Sequence, residues 1–331
     1  MEATPRPRHW KIVLAFAIIY FVWGSTYLAI RIGVREVPPF LLAGIRFLVA
    51  GAALFLWMRA RGTPSPAPKE WRSVSILASL IFVMDYGLLF WAEQRVPSGI
   101  AAVILATIPV FMTLGEIVVL RTQRLTFRLA LALLTGIAGV AVLVGRGSIG
   151  TLIGSLTTGR SASSGDPPID LAGAAALIFA AISWSVAASI TRKLPLPADK
   201  AMSSGAQMLT GGVMLLVTAA LLGEFRGFHP QAVSRGAWIA LAYLIVAGSI
   251  VAFTAYVWLL HHQSPTKVGT YAYVNPVVAV VLGYFWGGEA IGPRTMVGTF
   301  LVLVSVVVIT TTPARRVEPA QADKLAESSA S

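Results

Sequence analysis

The sequence predicts an all-α integral membrane protein, with ten transmembrane helices arranged as two inverted five-helix repeats. Three observations carry this. Of 331 residues, 56% are hydrophobic and only 12% are charged, whereas soluble domains are nearer a quarter charged. Apolar runs long enough to cross a bilayer, ~20 residues each in a helix, occur ten times. The second half also copies the first at constant spacing. Trp184 follows Trp23, Arg192 follows Arg31, Gly205 follows Gly44 and Gly212 follows Gly51, each by 161 residues. Trp71 and Trp238, Trp91 and Trp258, and Pro109 and Pro276 are each 167 apart, so one six-residue offset separates the early and late parts of the halves. Arg46 changes chemistry in the copy, becoming Gln207.

The first apolar run, Ile12–Ile30, follows Arg6, Arg8 and Lys11, the pattern of a signal peptide. Cleavage is rejected because the run is too long and its Trp23–Arg31 segment has a counterpart at Trp184–Arg192. A polar turn with Pro38 and Pro39 leads to Phe40–Met58, which carries Arg46 inside it. The remaining runs of the first half are Ser73–Ala92, Ser98–Leu120 and Leu129–Gly145. Those of the second are Leu171–Thr191, Ala201–Gly223, Gly236–Leu260, Val268–Gly287 and Thr295–Thr312. The chain is thus divided into a cytoplasmic N-terminus (1–11), a first repeat (12–145), a Gly/Ser/Thr-rich flexible connector (146–169), a second repeat (170–312) and a polar, disordered cytoplasmic tail (313–331).

The net charge of +12 is read as basic residues flanking spans rather than as a nucleic-acid surface. With the N-terminus inside, seventeen of the 26 basic residues fall on inside segments and eight outside, which places both termini in the cytoplasm. Five spans is an odd number, so the two copies enter the membrane from opposite sides. Inverted repeats of this kind give transporters two related gates around one midplane site. The chain has no cysteine, and His9, His229, His261 and His262 lie outside spans or at their ends. No disulfide, metal site or cofactor is therefore expected.

Several stretches resemble a known family: WGSTYLAIR at Trp23–Arg31, the Pro39–Gly44–Arg46 run, VPSGIAAVILATIP at Val96–Pro109 and TYAYVNPVVAV at Thr270–Val280. They are similar to the EamA family of the drug/metabolite transporter superfamily, and within it to the YedA-type permeases, from about Lys11 to Thr312. The resemblance implies a bacterial inner-membrane carrier that exports small metabolites or drugs by alternating access. It also implies a solute site near spans one, three, four, six, eight and nine. One departure is visible. The second half has GGEAIG at Gly287–Gly292, whereas the first has Gln123 where the family often has Glu.

Pro109 and Pro276 lie deep in their spans. Each removes an amide donor and frees the carbonyl four residues earlier, at Leu105 and Ala272; the break either lines a cavity or only kinks the helix for packing. Around Pro276, Tyr271, Tyr273 and Asn275 offer apolar faces with polar tips, and Tyr271 and Asn275 share one helix face. Trp23 and Trp184 are read as cavity walls, with Ser25 and Thr26 as cavity hydroxyls. Arg46 and Asp85 both sit ~10 Å below the outer boundary at 1.5 Å per residue, and intramembrane charges are normally paired. An Arg46–Asp85 pair is expected, either as a permanent lock between spans or with Asp85 as a proton acceptor tuned by burial and by Arg46. Glu93 and Arg95 are placed at the interface, and Gly44, Gly51, Gly136 and Gly139 at close helix crossings.

The expected partners are a small-molecule substrate, membrane lipid and protons, with no nucleic acid; a homodimer is left open. A lipid-linked headgroup flippase and a non-transport receptor or scaffold are the alternatives. No catalytic residues are assigned: there is no HExxH, no buried His pair and no nucleophile–base pair. The absence of a GxxxxGK[ST] loop leaves direct ATP drive unsupported.

Overall fold

The computed structural model describes residues 9–119, 124–144, 169–191, 193–263 and 265–312. Gln123, Arg192, most of the connector and both terminal segments lie outside the described residues. Among those described, nine helices are long and apolar enough to cross a membrane. They are α1 (His9–Gly33), α2 (Pro39–Ala60), α3 (Pro68–Glu93), α4 (Ser98–Val119), α5 (Phe127–Val144), α6 (Leu171–Thr191), α7 (Lys200–Leu221), α8 (Arg235–Leu259) and, after the shorter apolar α9 (Tyr271–Gly287), α10 (Pro293–Thr311). The ninth run was expected to begin at Val268. Instead, a one-turn helix at Pro265–Val268 is separated from α9 by a turn at Gly269–Thr270, where glycine is a weak helix former.

Local chemistry sets the helix ends. Pro39, Pro68 and Pro293 open α2, α3 and α10, positions where the missing amide costs nothing. Asp199 caps α7 by accepting from the Met202 amide at 2.8 Å, and Ser234 caps α8 by accepting from Ala237 at 3.3 Å. Gly288 stops α9 in the left-handed region, at φ 65°.

Glycines decide how closely the helices approach. A Cβ at Gly51 in α2 would lie 2.7 Å from the Met208 carbonyl carbon of α7, and one at Gly212 in α7 would lie 2.6 Å from Leu48 Cα. On the α5–α10 crossing, a Cβ at Gly139 would lie 2.9 Å from the Val302 amide nitrogen, and one at Gly24 of α1 would meet Val278 Cβ of α9 at 2.6 Å. At Gly51, Gly212 and Gly139 the facing backbones come into contact, as membrane helices do at small residues. Large apolar side chains such as Phe21, Leu134, Phe179 and Trp286 point outward all round the bundle, as a lipid-facing surface requires.

Three helices contain wider, π-helical turns: Ser79–Gly87 in α3, Gly115–Val119 in α4 and Leu244–Val251 in α8. The α3 and α8 turns occupy corresponding spans of the two halves. They position Asp85 and Ser249, respectively.

Candidate functional site

A cavity of about 540 Å³ lies between the two halves of the bundle, within the 300–1,000 Å³ range of small-molecule sites. Its walls are two aromatic groups, each mixing side chains from both halves. Trp23 packs against Tyr256 and Tyr271, with ring centroids 5.3 and 5.0 Å away. Trp184 meets Tyr86 at 6.2 Å, and Tyr86 in turn packs on Phe47 at 4.6 Å. Trp23 is fixed further by its indole N–H, which donates to the Gly248 carbonyl at 3.1 Å. Each tryptophan therefore reaches into the aromatic set of the opposite half.

Polar groups enter this wall at a few points. Thr26, Arg46, Asp85, Gln207, Ser249 and Asn275 all line the cavity. Thr26 Oγ1 donates to the Trp23 carbonyl at 2.6 Å. The Asn275 amide, in the orientation its neighbours require, donates to the carbonyls of Tyr20 at 3.1 Å and Tyr271 at 3.3 Å. It thereby ties α1 to the start of α9. Pro109 and Pro276 both line the cavity. The α4 helix is interrupted at Ala106–Thr107, just before Pro109, where Thr107 N–H and Oγ1 both donate to the Ile104 carbonyl. Ser185 of α6 donates to the Ile108 carbonyl at 3.1 Å. The Ile104 and Ile108 carbonyls flanking the break are thus bonded within the protein, as an apolar surrounding demands.

The expected Arg46–Asp85 pair is not formed. Both residues are 3% exposed, but among the described residues no ion pair within 4.0 Å joins them. Arg46 Nε instead donates to Ser249 Oγ of α8 at 3.0 Å, and the guanidinium lies over the Phe47 and Tyr86 rings at 4.6 and 5.5 Å. The wide turn in α3 sets Asp85 apart, with its Oδ1 unpartnered. Ser25 and Tyr273 are also corrected: neither lines the cavity. Ser25 Oγ lies 2.6 Å from the Tyr243 hydroxyl and donates to the Val22 carbonyl. Tyr273 is two residues from both Tyr271 and Asn275, which turns it off their helix face. Glu93, expected at the interface, is fully buried with both carboxylate oxygens unpartnered, whereas Arg95 is exposed and lies 4.0 Å over Trp91. Tyr27, Tyr86 and Tyr256 were not anticipated. Only Tyr27 had a local signal, four residues after Trp23 on the same face.

One face of the bundle is tied shut. Glu224, after α7, accepts from the first amides of α2, Leu41 at 2.8 Å and Phe40 at 3.4 Å. Glu36, after α1, accepts from Ser234 N and Oγ at 2.6 and 2.7 Å where α8 starts. Glu289 accepts from Ser98 N and Oγ and from Gly99 N where α4 starts. All three are carboxylates at the positive end of a helix in the other half, and Glu289 is the acid of the GGEAIG run. Arg31 adds a bridge from α1 to the carbonyls of Glu93 and Val96. The cavity lining extends the other way, to Glu116, Ser204, Gly269 and Thr310 at helix ends on the opposite face. Outside the spans, hydrogen bonds from Ser234 hold the Glu36 carboxyl below its ordinary range. Burial pushes Glu224 up, against the lowering effect of the Leu41 and Phe40 amides.

A helical bundle of membrane-spanning length with a cavity tied shut at one face is compatible with a carrier. Sequence comparison agrees: the EamA-like transporter family model matches residues 10–145 and again 171–311, and the chain belongs to that family, within the drug/metabolite transporter superfamily. Among its relatives is the uncharacterized inner membrane transporter YedA of Escherichia coli K12, 33% identical over 89% of both chains. The uncharacterized transporter YoaV of Bacillus subtilis is 25% identical over 92% of this chain and 99% of its own. Protein PecM of Dickeya dadantii is 25% identical over 87% and 88%. One solved crystal structure superposes with a TM-score of 0.56 at 21% identity, covering 95% of this chain and 98% of its own, and shares the fold.

Proposed function

We propose that this protein is a secondary-active transporter of the bacterial inner membrane that moves small amphipathic or amino-acid-like metabolites and drugs outward by alternating access. The observation that carries this is a cavity walled by both halves, extending to one face while three carboxylate ties close the other. In this reading residues 12–145 and 170–312 are inverted repeats joined by the 146–169 connector. Both termini are cytoplasmic, so the tied face is the outer one. The cavity then receives solute from the cytoplasm, between the Trp23 and Trp184 walls. Release outward requires Glu36, Glu224 and Glu289 to leave their helix N-termini while the opposite ends of the helices close.

Asp85, buried in the wall and free of an ion-pair partner, is the residue assigned to proton coupling. The test is solute flux in proteoliposomes with and without an imposed pH gradient, for wild type and Asp85→Asn, over a panel of amino acids and cationic drugs. Gradient-dependent flux lost in Asp85→Asn is the expected result. Gradient-dependent flux that persists in the variant removes Asp85 from the coupling. No flux of any compound by folded wild type rejects export of this solute class.

A further inference from the structure

We propose that Arg46 is the anchor for an anionic group of the solute, so that the cavity takes organic carboxylates with a flat apolar body. This rests on the transport reading above and narrows its substrate class. Arg46 is held in place without being satisfied. Its Nε donates to Ser249 Oγ at 3.0 Å, and that hydroxyl in turn donates to the Leu244 carbonyl at 3.0 Å. The serine is therefore oriented by the wide turn of α8 and presents its lone pair to the arginine. The rings of Phe47, Tyr86 and Phe90, 4.6, 5.5 and 5.9 Å from the guanidinium carbon, fix the plane. Rings attract the cation but leave most of its five N–H donors unused. Nη1 has no hydrogen-bond partner.

A buried guanidinium with an unused donor and, among the described residues, no carboxylate within 4.0 Å is costly. Buried Glu93 acts on it only from farther away, and the cost is relieved by an anion that enters. Its planar fork matches a carboxylate with two parallel hydrogen bonds. Arg46 lines the cavity, and Gly248 lets the α8 backbone pack closely on it: a Cβ there would stand 3.3 Å from Arg46 Nη2 and 2.9 Å from Thr26 Cγ2. The opposite wall has no equivalent. Gln207, which occupies the corresponding place in the second half, donates to Ser203 Oγ at 3.0 Å and is neutral. The cavity thus has a tryptophan from each half but is asymmetric in charge, with one cationic pole among its lining residues. Asp85 shares the wall, so a purely cationic solute is the competing assignment.

The experiment uses the purified full chain and three probes with one aromatic body: 3-phenylpropionate, its isosteric amide 3-phenylpropanamide, and 3-phenylpropylamine. Binding of radiolabelled 3-phenylpropionate is measured by equilibrium dialysis, with the other two as competitors. Wild type is expected to prefer the carboxylate to the amide by at least tenfold. Arg46→Gln should abolish that preference while amide binding stays within about twofold, and Arg46→Lys, a point charge without the fork, should fall between. Equal binding of carboxylate and amide by wild type overturns the proposal, as does preference for the amine, preference surviving in Arg46→Gln, or no binding of any probe. The wild-type comparison needs no variant, so an Arg46→Gln chain that fails to fold leaves the test intact. If the probes fail while the flux panel succeeds, the anion assignment falls alone. If folded wild type moves nothing at all, the transport reading falls with it.

Discussion

Replacing Gly51 by alanine tests the tightest crossing in the bundle. A Cβ there would stand 2.7 Å from the Met208 carbonyl carbon, whereas carbon atoms rest at about 3.5–4.0 Å. Backbone atoms cannot rotate aside, so α2 and α7 must separate by about 1 Å. Overpacking of this kind costs about 1–3 kcal/mol, and alanine's better helix propensity returns at most ~1 kcal/mol. Gly212→Ala on the facing helix meets Leu48 in the same way. One separation of the helices accommodates both methyl groups, so the double variant is expected to lose less than the sum of the singles. Thermal unfolding in detergent, followed by intrinsic fluorescence, measures this as a drop of a few degrees for each single variant. Gly115→Ala is the control, since a Cβ there meets nothing within 4 Å and should melt at or above wild type. If Gly51→Ala also melts at or above wild type, the backbone contact between α2 and α7 is refuted.

Four further outcomes are expected. The tie between Glu36 and Ser234 lowers the Glu36 pKa, so its stabilisation is present above the ordinary carboxylate value of about 4.3 and disappears as pH falls through the lower folded value. The melting difference between wild type and Glu36→Gln should hold from neutral pH to about 5 and vanish under stronger acid; a difference unchanged at pH ~3 contradicts the tie. Glu224, pushed up by burial, should protonate before Glu36 on acidification, as carboxyl infrared bands compared with Glu224→Gln would show. Among aromatic residues, Trp23→Ala and Trp184→Ala should each weaken binding of aromatic solutes at least tenfold, whereas Trp57→Ala, at a site 61% exposed, should not. Ser25→Ala and Tyr273→Phe should likewise leave solute affinity unchanged, and a loss there would return both residues to the cavity wall.

Hydropathy alone determined that this chain crosses a membrane many times, because ~20 apolar residues in lipid leave the backbone few options besides a helix. The constant spacings of tryptophan, glycine and proline marked the duplication and the residues at its crossings. Gly51 and Gly212, 161 apart, proved to be where α2 and α7 touch. Sequence also picked Trp23, Trp184, Tyr271, Asn275 and both prolines as cavity wall, since helical periodicity and intramembrane polarity are local properties.

Tertiary structure decided what depth and periodicity do not encode: rotation about each helix axis and the partner across the gap. Equal depth suggested that Arg46 and Asp85 would meet, yet a wide turn in α3 places Asp85 off that line and a matching turn in α8 presents Ser249 to Arg46. Ser25 and Tyr273 had the right chemistry on the wrong face. Glu93 looked interfacial because it ends a span, but packing buries it completely, with Arg31 of α1 donating to its carbonyl. The three carboxylate ties join residues about 180–200 apart, and no local pattern announces a contact that exists only when the two halves dock.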